Sequence, residues 1–202
     1  MNYIEIEGIK IELTEEQTRI IKEGLFSEGV QLSEIAVGET FILGKYKFIV
    51  LEQSGDTTAA ILKDLIKEEM KFSDSDNKYT DSLVDIECSE FGKKIGDIIG
   101  TDNIIEHTVD LTADDGLKCY GNAKRCMSLL TAGQYRKYVY ILEKHNTKKW
   151  WWLATSFSTP KHNDTIWVKC VSPGGDLGSY SYGSNYGVRP FCILKSNIFV
   201  SK

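Results

Sequence analysis

Apolar and polar residues alternate along several short stretches of this chain, and each of these stretches predicts a β-strand. The alternation runs on both sides of Gly8 and again on both sides of Gly44 and Lys45, which predicts two hairpins. Residues 150–157 and 164–172 are rich in aromatic and β-branched residues and predict two more strands. Residues 126–130 predict a buried strand, and residues 187–201 predict the last strand of the chain.

An apolar repeat of three to four residues predicts three helices. Two of them follow the Thr-x-x-Gln spacing of a capping box, in which side chain and backbone of two residues satisfy each other. These boxes are Thr14 with Gln17 and Thr131 with Gln134. Ser82 is the predicted cap of the remaining helix, which should run for about ten residues. Residues 57–72 leave two alternatives open, a strand that runs into a helix or one continuous helix.

Helices that occur between hairpin strands, without regular strand–helix alternation, favour the α+β class. The chain has 202 residues, of which 42% are hydrophobic and 26% are charged, as is usual for a globular domain. A connector near residue 35 predicts a division into two parts. Residues 1–35 would form an acidic hairpin–helix appendage, and residues 36–202 the main domain.

Acidic charge is concentrated at the N-terminal end. Residues 1–35 contain eight acidic and three basic side chains and therefore carry the whole formal net charge of −5. The neutral remainder lacks the clustered Lys and Arg that phosphate binding requires, so we expect no nucleic-acid partner. The acidic segment either binds a basic partner or is a solvated face, and the solvated face is favoured.

The chain shows no secretory signal, since its N-terminus has neither a basic region nor an apolar core. No run approaches the ~20 apolar residues of a membrane span. We therefore expect a protein of the bacterial cytoplasm or of a virion. Its cysteines form no C-x-x-C pair and have mostly apolar neighbours, which favours buried reduced thiols. They are Cys88, Cys119, Cys126, Cys170 and Cys192.

Catalytic and metal-binding patterns are weak. The three histidines are isolated from one another, so we predict neither a metal site nor a cofactor. Residues 74–81 resemble a calcium loop, but Lys78 occupies a ligand position and the required Gly and closing Glu are missing. Neither a nucleophile elbow nor a P-loop occurs. The sequence therefore predicts no catalytic residues.

Three consecutive tryptophans, at 150–152, should alternate between the two faces of their strand. Packing in the core, with Trp167 of the next strand, is favoured for one face. For the other face a carbohydrate-stacking platform is the alternative to core packing. Arg189, if buried, must pair with a carboxylate or with backbone carbonyls.

Several longer phrases resemble a domain-of-unknown-function family of phages, prophages and gut Gram-positive bacteria. In chain order they are GETFILGKYKFIVLE (38–52), YTDSLVDIECSEF (79–91), SLLTAGQYRKY (128–138), WWWLATSFSTP (150–160), V…PGGDL (171–177) and YGVRPFCILKSNIFVS (186–201). The resemblance covers about residues 36–202. The chain departs from the family pattern at Phe191, where Ala is usual, and at Ala154-Thr155, where Arg-Ser is usual.

That family is similar to the C-type-lectin-like fold of formylglycine-generating enzymes and of variable receptor-binding phage proteins, which implies the same fold here. The redox cysteine pair of the enzymes is not matched, because Cys192 follows Arg189 by three residues. In the variable binders, contact positions lie just before the terminal strand. The run LGSYSYGSNYG, at 177–187, occupies that place.

The composition of this run is typical of binding loops, in which Tyr gives contact area and Ser, Gly and Asn adapt their hydrogen bonds. The resemblance implies a contact face that varies between natural versions of the protein. The predicted contact residues are Tyr180, Tyr182, Asn185 and Tyr186, with Phe157, His162 and Asn163 at the edge.

The sequence thus predicts a non-enzymatic, phage- or prophage-associated protein that binds a protein or glycan ligand of a bacterial host. One alternative is an intracellular phage inhibitor of a host defence or regulatory protein, with residues 1–35 as its contact. A second alternative is a cysteine-dependent oxidase or hydrolase of the same fold, which requires a cysteine of depressed pKa. Exposed aromatic residues near the C-terminus would equally suit self-association, so the oligomeric state stays open.

Overall fold

The computed structural model describes residues 2–6, 9–15 and 29–202. Two α-helices lie wholly within these residues, among mostly antiparallel strands, which confirms the α+β class. The helices are α1 (Leu83–Ile99) and α2 (Ala132–Lys144). The strands are β1 (Asn2–Ile6), β2 (Ile9–Leu13), β3 (Val30–Gln31), β4 (Thr40–Leu43), β5 (Tyr46–Ser54), β6 (Thr57–Leu62), β7 (Lys67–Lys71), β8 (Ile104–Ile105), β9 (His107–Asp110), β10 (Asn122–Arg125), β11 (Met127–Ser128), β12 (Trp151–Ser156), β13 (Trp167–Val171), β14 (Leu177–Ser181), β15 (Asn185–Val188), β16 (Phe191–Lys195) and β17 (Phe199–Val200).

Two larger sheets form the body of the protein. One has the strand order β11-β16-β6-β5-β4, with β8 also paired to β16. The other has the order β14-β13-β12-β15-β7, and its β12–β15 pair is parallel. Three two-stranded sheets complete the described residues, namely β1 with β2, β9 with β10, and β3 with β17.

Both predicted hairpins are confirmed. β1 pairs with β2 in an antiparallel register, and β4 pairs with β5 in the same way across the turn at Gly44 and Lys45. Gly44 has a φ of +58°, a left-handed conformation in which glycine costs least. The turn chemistry therefore sets the register of this hairpin.

Both helices of the body begin at their predicted caps. The Ser82 side chain accepts a hydrogen bond from the Asp85 amide at 3.3 Å, and α1 extends for 17 residues because its buried face continues to Ile95. At α2, both hydrogen bonds of the capping box between Thr131 and Gln134 are present. The helix predicted after the first capping box lies outside the described residues.

Two expectations for individual elements are wrong. Residues 57–72 form β6 and β7, so the strand of the first alternative is present, but the helix of both alternatives is not. The predicted single terminal strand is divided into β15, β16 and β17. The first break lies at Arg189 and Pro190. Pro190 has no backbone N–H to donate to a neighbouring strand. Its carbonyl accepts a hydrogen bond from the Leu62 amide at 2.9 Å.

The segment before β4 packs with the C-terminal end of the chain. β3 pairs with β17, and the Leu32 amide donates to the Ile198 carbonyl at 2.9 Å. Leu32 and Ile35 are both fully buried in the core that also holds Trp152. The predicted boundary near residue 35 therefore falls inside a segment that shares the main core, while a separate N-terminal unit stays a prediction.

β12 lies between two apolar clusters and contributes to both. Trp152 packs in the larger cluster with residues of α1, and Trp151 packs in the smaller cluster with residues of α2. The predicted alternation of neighbouring tryptophans is confirmed. The prediction of a core position for Trp167 is wrong, since 43% of this residue is exposed.

Candidate functional site

The predicted contact run forms a tightly curled part of the second sheet. β14 and β15 are joined by residues 182–184 alone, although β13 and β12 lie between them in the strand order. The Ser184 amide donates a hydrogen bond to the Ser181 carbonyl at 2.8 Å, so this connection is a tight turn. The sheet therefore curls, and the ring centroids of Tyr180 and Tyr186 are 5.3 Å apart.

Trp150 completes an aromatic cluster with these two tyrosines. Its ring stacks on Tyr186 at a centroid distance of 5.4 Å and meets Tyr180 nearly edge-on at 5.0 Å. Tyr186 also contacts the buried Trp152 at 4.8 Å, which ties the cluster to the core. Aromatic pairs in such arrangements contribute about 1 kcal/mol each beyond their buried area. The aromatic cluster is therefore a rigid surface, of which Tyr180 is 38% exposed.

Two glycines of the run make room for Trp150. A Cβ atom on Gly178 would lie 3.3 Å from the Trp150 ring. A Cβ atom on Gly187 would lie 3.0 Å from the Trp150 carbonyl and 2.4 Å from Cδ1 of Leu65. The Gly187 amide donates to that same carbonyl at 2.8 Å. These glycines serve close approach of the backbone.

The turn at Tyr182 is fixed by its backbone. Its amide donates to the Ile166 carbonyl at 2.9 Å, and its carbonyl accepts from the Phe72 amide at 2.9 Å. The Tyr182 ring is half-buried against the core of Trp152. Tyr182 therefore anchors the turn, whereas Asn185 at the start of β15 is exposed.

Phe157 lies on the opposite face of the sheet from Tyr180. The Lys169 ammonium is 5.9 Å from the Phe157 ring centroid, and Lys169 alternates along β13 with Val168. Val168 is the register partner of Tyr180 and so shares its face. The structure therefore separates this predicted edge residue from the aromatic cluster.

His162 and Asn163 belong to the loop that contains Phe157. His162 Nδ1 is 3.1 Å from Oδ2 of Asp115, and the His162 side chain is mostly exposed. Asn163 has a φ of +55° and ends the short 3-10 helix Pro160–His162. Neither residue has a described contact with Tyr180 or Tyr186.

A cleft of about 410 Å³ opens beside the aromatic cluster. Its lining combines Trp150 and Tyr186 with polar residues of β7, of β15 and of the loop before β12. The polar residues include Glu68, Glu69, Lys149 and Asn185. Of these polar residues, only Asn185 was predicted from the sequence. Trp150 could have been predicted as a site residue from the alternation of the three tryptophans, which puts neighbouring rings on opposite faces.

The three buried cysteines lack the lowered pKa that a nucleophilic thiol requires. All five are free; Cys119 and Cys126 are exposed, so burial is confirmed only for the other three. Burial raises the pKa of Cys170 and of Cys192 to about 12, whereas a reactive thiol needs a lowered pKa. Burial raises the pKa of Cys88 as well. Within residues 2–6, 9–15 and 29–202, no three His, Cys, Asp or Glu side chains are placed to hold a metal ion.

Comparison of this chain with protein-family models, with curated proteins and with solved structures finds no match. The resemblance to a phage family and to the lectin-like fold thus stays a prediction. In the described part of the chain, no helix combines the length and the apolar character needed to cross a bilayer.

Proposed function

We propose that this protein is a non-enzymatic, phage- or prophage-associated binding protein that presents its aromatic cluster to a protein or glycan ligand of a bacterial host. The observation that supports this most is the partial exposure of a preorganised aromatic group. Tyr180 is 38% exposed although its ring contacts both Trp150 and Tyr186. An exposed loop of the same composition without such contacts would support it less.

The rigidity of the aromatic cluster favours binding for an energetic reason. Ordering a free side chain on association costs about 0.5–1.5 kcal/mol. Trp150, Tyr180 and Tyr186 are already held by one another and by the sheet. Tyr and Trp are also the residue types that most often dominate binding energy. Contact with this surface would therefore lose little conformational entropy.

The contact surface is narrower than the sequence predicts. It contains Tyr180, Tyr186 and the exposed Asn185, with Trp150 at the centre. The three edge residues of the 157–163 loop are not part of the proposal, because Phe157 lies on the opposite face and the other two have no described contact with the cluster.

The test measures binding of the purified protein to envelope fragments of gut Gram-positive bacteria. We expect Tyr180→Ala to weaken binding about 30-fold, which corresponds to the loss of a hot spot of about 2 kcal/mol. Tyr140→Ala is the matched control, since Tyr140 lies on α2 and is 80% exposed. The control should bind like the wild type.

Two results would overturn the proposal. One is the absence of envelope binding by the wild-type protein. The other is an equal effect of Tyr180→Ala and Tyr140→Ala. Binding of a cytoplasmic host protein that survives Tyr180→Ala would instead favour an inhibitor that uses another surface.

A further inference from the structure

We infer that the cleft beside the aromatic cluster binds an uncharged sugar residue of a glycan. This inference rests on the proposed function and names the class of ligand. The cleft of about 410 Å³ lies in the range of small-ligand sites, roughly 300–1,000 Å³. A protein partner of standard size covers about 800 Å² of a surface, whereas this open cleft has room only for a small group.

The cleft is formed where β7 and β15 meet the start of β12. The β7–β15 register places Tyr186 opposite Met70 and Asn185 opposite Lys71. Trp152 donates its indole N–H to the Met70 carbonyl at 2.8 Å, which attaches this part of β7 to the core. The aromatic wall and the polar strand therefore keep a fixed separation.

The loop that contributes Lys149 is also preorganised. Asn146 Oδ1 accepts a hydrogen bond from the Lys148 amide at 2.8 Å, and Asn146 Nδ2 donates to the Pro173 carbonyl at 3.0 Å. Lys148 has a φ of +58°, a left-handed conformation that this Asn turn supports. The cleft is formed before any ligand binds.

The residue types of the lining match the two sides of a pyranose ring. Trp150 stacks on Tyr186 with one face, and the remaining surface of these rings that lines the cleft can contact the weakly positive C–H groups of a sugar. The carboxylates of Glu68 and Glu69 accept hydrogen bonds from hydroxyls, and the Asn185 amide both donates and accepts. A sugar presents both kinds of group at once.

The charges of the cleft favour an uncharged ligand. Glu68 and Glu69 are balanced by Lys148 and Lys149, and Lys149 Nζ lies 2.5 Å from Oε1 of Glu68. An anionic ligand would meet two carboxylates, and a cationic ligand would meet two ammonium groups. Neither sign of charge gains net attraction, because opposite charges alternate within a few ångströms.

The first experiment identifies the ligand class on the envelope fragments. Periodate, which cleaves vicinal diols of sugars, should abolish binding, and protease treatment should leave it intact. Loss of binding after protease, with retention after periodate, would overturn the glycan inference while the proposed function stands. A wild-type protein that binds no untreated envelope would overturn both.

The second experiment locates the site with an array of defined glycans. We expect binding to neutral hexose-containing glycans, and Asn185→Ala should weaken it about tenfold, as for loss of hydrogen bonds to the ligand. Asn122→Ala is the matched control, because Asn122 is likewise exposed at the start of a strand. Binding confined to sialylated or phosphorylated glycans, or an equal effect of both variants, would overturn the inference.

Discussion

Trp150 and Trp151 are neighbours in the chain, yet they end in different environments. Trp151 is 1% exposed, with the Tyr135 ring of α2 at 5.8 Å and the Arg189 guanidinium carbon at 5.3 Å. Trp150 is only half-buried, and its ring partners are Tyr180 and Tyr186. One face of β12 thus packs in the core below α2, and the other holds the buried Trp152 and ends in the aromatic cluster beside it.

The difference shows that the role of an aromatic residue in a strand depends on which element packs over it, and not on its residue type. Where a helix packs over the sheet, the tryptophan loses contact with water and contributes to stability. Where the sheet curls upon itself, the tryptophan contacts other rings and keeps part of its surface exposed. Trp151 should therefore contribute mainly to stability, and Trp150 mainly to binding.

The first prediction compares the two tryptophans directly. Trp151→Ala should lower the free energy of unfolding by about 4 kcal/mol, because it removes a buried indole and leaves a cavity. Trp150→Ala should cost about 2 kcal/mol, since part of its ring is already exposed. Denaturant titration of both variants measures the difference. Equal losses would show that the two sides of the strand are packed alike.

The second prediction concerns the cation that packs on Trp151. Arg189 is buried and donates to the carbonyls of Leu62, Lys63 and His145 at 2.9–3.1 Å. Burial lowers its pKa to about 10, so that it stays charged at neutral pH. Arg189→Met should cost about 3 kcal/mol of unfolding free energy, because these carbonyls lose a charged donor.

The control for this substitution is Arg136→Met, at an exposed arginine that pairs with Asp114. An exposed ion pair contributes less than about 1 kcal/mol, so the control should be nearly neutral. A small loss at Arg189 would mean that other groups satisfy the three carbonyls. The sequence anticipated this arrangement, since a buried arginine needs either a carboxylate or carbonyls.

Local signals in the sequence predicted the features that depend on few neighbours. Alternation along a strand placed the tryptophans on opposite faces, and capping residues fixed the starts of both helices. The edge strand β7 was missed because its sequence KEEMK suits a helix. Pairing with β15 outweighs this local preference, and charged residues suit an edge strand because they limit further pairing.

The candidate site was predictable only in part. Tyr180, Asn185 and Tyr186 lie within the same short run, residues 177–187, so its composition predicted all three as contact residues. Glu68 and Lys149 come from distant positions, and no local pattern brings them to the same cleft. Trp167 was expected in the core. It lies on the opposite face of β13 from the buried Val168, and it is exposed there.

The third prediction tests the close contact between the backbones of Gly187 in β15 and Trp150 before β12. Gly187→Ala should lower the free energy of unfolding by about 1–2 kcal/mol, because the new methyl group meets Leu65 and the Trp150 carbonyl. It should also weaken envelope binding, since Trp150 must shift. Gly183→Ala is the control from the same run, where a Cβ atom meets only Ser181 Oγ, at 3.9 Å. A neutral Gly187→Ala would show that Trp150 tolerates displacement.

The last and smallest effect is a pH dependence on the side of Trp151. His107 is buried, its Nε2 lies 2.9 Å from Ser128 Oγ, and its ring meets Phe191 edge-on at 5.2 Å. Burial lowers its pKa below the usual 6.5, and the charges of Glu106 and Lys124 act on it in opposite directions.

The unfolded chain therefore takes up a proton at His107 before the folded protein does. Stability from this group is complete above pH 6.5 and is lost as the pH falls towards the lower pKa of the folded state. Denaturant titrations between pH 7.5 and pH 5 should show this decline in the wild type. His107→Gln should reduce the decline, and His162→Gln, at an exposed histidine, should retain it. An unchanged slope in His107→Gln would show that another group titrates and that burial of His107 does not cause the pH dependence.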